Sequence, residues 1–153
     1  MADPLDPRAI EAQDPRLAAA ARISELDRRL TALERRLAGE PWHELGAVGE
    51  PALAGSWAAT AGAYATPAFR LVGGELLALK GAVNGGSSGS TIFTLPAGYR
   101  PSKDRRVAVA MYDAGVQYHG MVKIDTAGVV TITTTSGPSG ALDEVNLDVV
   151  IAL

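Results

Sequence analysis

The sequence predicts an α plus all-β chain: an N-terminal coiled-coil helix followed by an antiparallel β domain of sandwich or jelly-roll type. Three observations predict it. Ile23, Leu26, Leu30, Leu33 and Leu37 recur at alternating steps of three and four, the seam spacing of a coiled coil. From Trp42 onward Gly, Ala, Thr and Val displace Arg and Glu, and apolar residues fall into short runs between glycine-rich breaks. At the C-terminal end Val145, Leu147, Val149, Ile151 and Leu153 alternate at period two, so one face of a strand is apolar.

Residues 1–15 carry Pro4, Pro7 and Pro15, each after an Asp. Proline keeps the residue before it out of the helical region, so this segment reads as extended. It is either a plain tail or a peg that docks into a larger assembly. Asp14 and Pro15 suit the N-cap and first position of a helix. The helix is expected over 16–38, free of Gly and Pro and rich in good helix formers, with Gly39 and Pro41 ending it. Arg29-Leu30-Thr31-Ala32-Leu33-Glu34 places Arg before the seam and Glu after it, and resembles the short trimerisation motif of three-stranded coiled coils. That resemblance implies a parallel homotrimer with Ile23, Leu26, Arg29, Leu30, Leu33, Glu34 and Leu37 at its interface. The seam residues alone leave a dimer open, and a helix packed on its own domain is the third option.

Residues 39–66 read as a loop-rich neck, with Trp42 and Trp57 anchoring it by packing on the following sheet. The β head domain is expected over 67–153. Its strands are Pro67–Val72, Glu75–Val83, Ser90–Leu95, Arg105–Asp113, Val116–Ile124, Val129–Thr135 and Val145–Leu153. Gly73-Gly74 and Asp125-Thr126-Ala127-Gly128 are turn signals, Asn84–Gly89 is a flexible loop, and Ser136–Gly140 is another loop. In Val116–Ile124, Tyr118, Val122 and Ile124 are expected to face the core while Gln117, His119 and Lys123 face out.

Composition narrows the chemistry. The chain has 153 residues, no Cys and a formal net charge of −3, so it offers neither thiolate metal sites nor a basic footprint for nucleic acid. No apolar run is long enough for a membrane span, and the N-terminus lacks the pattern of a secretory signal. Made in a cytoplasm, such a chain needs another route if it works outside one. His43 and His119 have no companion at metal-ligand spacing and read as surface residues. The carboxylates are scattered over turns and strand ends, and no nucleophile elbow or phosphate loop is present, so an enzyme is not expected and no cofactor is implied.

The stretch Ile92-Phe93-Thr94-Leu95-Pro96-Ala97-Gly98-Tyr99-Arg100-Pro101 resembles the signature of C-terminal domains in bacteriophage tail-fibre and minor structural proteins. Trp57, Pro67-Ala68-Phe69-Arg70, Leu79-Lys80-Gly81 with the glycines at Gly85-Gly86, and Asp125-Thr126-Ala127-Gly128 resemble flanking parts of the same pattern. Similarity runs from Trp57 to Thr133. Lys80 stands where Arg is commoner, and the chain end is poor in aromatics for a sugar-binding tip. The resemblance implies a homotrimeric fibre or spike of a phage or phage-like particle, located in the virion. Residues 1–15 would bind other virion proteins, and the β head would attach to a cell-surface glycan or protein. Tyr112, Gln117, His119 and the 84–89 loop are the candidate receptor contacts. The alternatives are a head, collar or tail decoration that binds no receptor, and an intracellular scaffold.

Overall fold

The computed structural model describes residues 15–62, 64–134 and 140–153. Apart from Pro15, the expected attachment segment 1–15 lies outside them, as does the loop expected at 136–140 up to Gly140. The chain forms two compact units, one ending at Ala38 and the other spanning Gly39–Leu153.

The first unit contains the helix α1 (Pro15–Ala38). Proline suits a first helical turn because that turn has no use for its missing N–H. Gly39 follows at φ 71°, the left-handed value that ends helices. Along α1 the Glu25 carboxylate takes Arg29 at 2.9 Å and Arg28 at 3.3 Å, pairs one turn apart on the same helix. Each exposed pair of this kind contributes about 0.2–0.5 kcal/mol. Ile23, Leu26, Leu30 and Leu33 do share a face, and they are 54–63% exposed. Contrary to the heptad expectation, the described residues form no trimeric coiled coil: α1 is the one α-helix among them, and apart from a 3-10 turn at Ala97–Tyr99 the rest of the regular structure is β. Three-four spacing dictates which side chains share a helix face. It does not dictate what covers that face, and here the step from stripe to three-stranded coil went beyond what spacing carries.

The second unit is built from eleven strands: β1 (His43–Glu44), β2 (Ala58–Ala59), β3 (Ala68–Val72), β4 (Leu76–Lys80), β5 (Ala82–Asn84), β6 (Thr91–Thr94), β7 (Arg105–Asp113), β8 (Val116–Ile124), β9 (Val129–Thr134), β10 (Glu144–Asn146) and β11 (Val149–Ala152). They pair antiparallel into a four-stranded sheet, β1-β3-β4-β11, and a seven-stranded sheet, β2-β5-β10-β7-β8-β9-β6. The sandwich or jelly-roll expectation is thereby replaced by two sheets of unequal size around one core. Phe69, Leu77, Leu79 and Ile151 enter that core from the smaller sheet. Val83, Met111, Val122, Ile124, Val130, Ile132 and Val145 enter it from the larger.

The sheets meet at a corner that two neighbouring strands turn together. The stretch expected as one strand over 75–83 breaks at Gly81 (φ 92°), which sends β4 into the small sheet and β5 into the large one. A Cβ on Gly81 would sit 2.7 Å from Pro67 N, so only glycine fits. The stretch expected as one strand over 145–153 breaks opposite, at Leu147-Asp148. Leu147 N donates to Gly81 O at 2.8 Å, and Gly81 N donates to Asp148 Oδ1 at 2.8 Å. Sheet corners made by strands that bend from one sheet to the other are a known solution for closing such cores. The apolar alternation runs straight through both bends, because the two sheets face the same interior.

Two glycine-rich segments lock rather than flex. Gly86 lies on the Trp57 ring, and a Cβ there would fall inside the indole. Trp57 is 5% exposed and donates from Nε1 to Ser90 Oγ at 2.9 Å. Gly85 N and Gly86 O both bond Leu142, so the 84–89 segment is pinned on both sides. At the second lock Leu95 N donates to Gly128 O at 2.8 Å and Arg100 Nε donates to Leu95 O at 2.9 Å. The Leu95–Pro101 segment and the Asp125–Gly128 turn, quoted above as separate fragments, are therefore one structural piece.

Candidate functional site

The outer face of the seven-stranded sheet is where the candidate contact residues meet. In antiparallel pairs, residues directly opposite each other project from the same face. Tyr112 in β7 is opposite Gln117 in β8 on one side and Glu144 in β10 on the other, and His119 is opposite Ala110. The intervening Met111 and Val145 point inward and are fully buried. Sequence reasoning named Tyr112, Gln117 and His119 as candidate contacts, and the structure brings these three onto one face.

It adds two residues. Glu144 completes the row across β10, β7 and β8. Tyr64 reaches the same place from the loop before β3: its hydroxyl hydrogen-bonds Glu144, and that bond, followed by the carboxylate's charge, pushes the phenol above its usual value. Tyr64 and Tyr112 are 47% and 38% exposed, so both rings are offered to solvent. Nothing local marks Tyr64; only the fold brings a residue from position 64 to position 144. The turn beside the group is stiff. Ala114 and Gly115 join β7 to β8 with φ of 49° and 78°, and Ala114 N donates to Asp143 Oδ2 at 2.8 Å. Alanine in the left-handed region costs about 1–2 kcal/mol. The group is acidic, with Asp113, Asp143 and Glu144. The Arg and Lys residues of β7 and β8, namely Arg105, Arg106 and Lys123, stand at the other end of the strands. The 84–89 loop, the fourth expected contact, is held by Trp57 and Leu142 as described.

A second polar group surrounds His43. Sequence reasoning put His43 on the surface; it is half-buried, because β1 carries it onto the edge of the small sheet opposite Phe69. The imidazole stacks on Phe69 with centroids 5.1 Å apart. Its Nδ1 lies 2.7 Å from Glu50 Oε1 and its Nε2 lies 2.9 Å from the Tyr99 hydroxyl. Burial, then hydrogen bonding to Glu40, pushes Tyr99 up to about 12. The group is a clasp that ties residues 40–50 to β3 and to the 3-10 turn Ala97–Tyr99. Trp42 adds to it, with Arg70 and Lys80 over its ring at 4.4 and 4.7 Å. Both tryptophans therefore pack on the sheet.

The expected interface residues of α1 are placed as follows. Ile23, Leu26, Leu30 and Leu33 line the exposed stripe, Arg29 pairs with Glu25 of the same helix, and Glu34 is exposed. The Leu37 side chain lies outside the described residues. Among the described residues no group of three or more His, Cys, Asp or Glu side chains could hold a metal ion.

No protein-family model and no curated protein matches the chain. Among solved structures, the receptor binding protein gp15 of Listeria phage PSA is similar, with a TM-score of 0.60 at 14% sequence identity. The similarity covers 99% of this chain and 88% of that one, so the fold resembles that of a phage receptor binding protein over its whole length.

Proposed function

We propose that this chain is a component of a phage or phage-like particle and that its β unit attaches the particle to the host surface. The observation that supports this most is the full-length likeness in fold to a phage receptor binding protein. The outer-face group agrees with it in chemistry. Two exposed phenol rings can stack on the C–H face of a sugar, and Glu144 and Gln117 can take its hydroxyls. Three copies acting together, a homotrimer, belong to the same proposal: weak single contacts then gain strength by avidity. So does docking of residues 1–15 on other virion proteins.

The test is binding of the purified, fluorescently labelled full chain to host cells. Saturable binding that competes with adsorption of the particle supports the reading, and Tyr112→Ala with Gln117→Ala should cut it about tenfold or more. Particles that lack the chain yet adsorb normally would overturn it. A second reading, a structural decoration with no receptor, draws on the low aromatic content of 5%. In that case labelled chain would enter particles but leave cells unstained.

A further inference from the structure

We infer that the receptor site continues as a trough along β7 and takes an extended, uncharged oligosaccharide rather than a single sugar, with Ala108, Ala110, Asn146 and Asp148 forming its second half. This rests on the receptor reading above and adds to it the length and charge of the ligand. Three observations carry it.

The first is a bare strand edge. The turn Ala114-Gly115 joins Asp113 directly to its partner Val116, so the odd-numbered residues of β7 bond to β8 and the even-numbered ones point their N–H and C=O the other way. On that other side β10 pairs with Tyr112 and Met111 and ends at Asn146, where the chain bends toward the small sheet. Ala108 lies past that end. Among the described residues no hydrogen bond takes its N–H or its C=O. The strand therefore offers a donor and an acceptor side by side.

The second is a pair of polar side chains held in place by the backbone. Asn146 Oδ1 accepts from Asp148 N at 2.7 Å, and Asp148 Oδ1 accepts from Gly81 N at 2.8 Å. Each is fixed through one oxygen, which leaves the carboxamide NH2 and the second carboxylate oxygen for a ligand. Both residues line a hollow of about 240 Å³ together with Ala108, Ala110 and Val149. The alanine methyls are its floor. An apolar floor with a few convergent donors and acceptors suits the C–H face and the hydroxyls of a sugar ring. Groups already held need little ordering when the ligand arrives.

The third is continuity with the tyrosine group. Val145 is opposite Met111, so Asn146 follows beside Ala110 on the face that carries Glu144 and Tyr112. Two residues of strand span about 7 Å, so the trough runs on about 14 Å from Tyr112 to Ala108, too far for one sugar ring. Its wall carries the carboxylates Glu144 and Asp148. Arg106, the next outward residue of β7, has the Asp104 charge beside it. Sugar acids and sugar phosphates are thereby repelled, and uncharged sugars are not.

The test uses the purified full chain, host cells, and the uncharged oligosaccharide fraction released from the host surface and separated by length. NMR of the wild type should show single sugars shifting signals around Tyr112 only. Longer pieces should also shift the Ala108 amide and the Asn146 side-chain NH2, with at least about tenfold higher affinity. Ala108→Leu fills the floor and should cut cell binding about tenfold or more with its melting midpoint unchanged, while Ala108→Ser keeps the trough open and should bind within about twofold. Periodate treatment of the cells should abolish binding. The inference fails if the shifts stay around Tyr112 at every length, if a charged fraction binds as tightly as the uncharged one, or if protease and not periodate removes the receptor. Cell binding by the wild type and Ala108→Leu alike sinks the trough alone. A wild type that binds no cells sinks the receptor reading, and the trough with it. Mapping on the wild type keeps the result independent of whether a variant folds.

Discussion

Leu30 in α1 and Leu77 in β4 are the same side chain in opposite circumstances, 55% and 0% exposed. Leu30 belongs to a three-four apolar periodicity, whereas Leu77 lies in the unbroken apolar run Leu76-Leu77-Ala78-Leu79. The strand's apolar face is answered within the chain, because a second sheet supplies the other wall of the core. The helix's period is not answered by any other described residue of its own unit. Periodicity therefore reports a face, and only the rest of the fold reports whether the face is covered.

Three changes test that contrast. The largest effect is expected in the core. Leu77→Ala should cost about 2–5 kcal/mol, read by denaturant unfolding, since it removes buried methyl groups and leaves a cavity. A loss below 1 kcal/mol would mean the two sheets do not share a tight interior.

The clasp should give an intermediate effect. His43→Ala should cost about 1–2 kcal/mol, because it removes the imidazole that joins Glu50 to the Tyr99 hydroxyl. In the wild type the folded phenol keeps its proton where the unfolded one has lost it. The associated stability is thus complete below pH 10 and fades as the pH climbs to about 12, which ultraviolet absorbance of the phenolate and unfolding curves would follow. A loss below about 0.5 kcal/mol in the variant would show that the imidazole is not part of the clasp.

The smallest effect is expected at Leu30→Ala. Alanine is the better helix former and little apolar contact is lost, so stability should move by no more than about 0.5 kcal/mol. If Leu30→Ala cost as much as Leu77→Ala, the stripe would be covered in solution and the contrast would collapse.

Much of the β unit was legible because alternation survives local complications. β7 and β8 have the expected bounds, and Val122, Ile124, Val130 and Ile132 are buried as their spacing predicts. The bends at Gly81 and Leu147-Asp148 were not legible, since Leu77, Leu79 and Val83 stay in phase across the break and leave no mark in the pattern. β1 and β2 were missed because two-residue strands are too short to show a period. At the candidate site, alternation put Gln117 and His119 outward, and Tyr112 was named beside them without an orientation. Tyr64 and Glu144 needed the sheet order, and the bare edge at Ala108 needed the register between strands, which no local window contains.

The corner at Gly81 and Asp148 also governs where this chain can lengthen. An extra residue inside 76–84 would turn Val83 away from the interior and separate Gly81 from Leu147, unless 145–152 gained a matching residue at the same level. Insertions are thereby steered to the hairpin tips at Gly73-Gly74 and Ala114-Gly115, where a foreign peptide could be carried without disturbing either sheet.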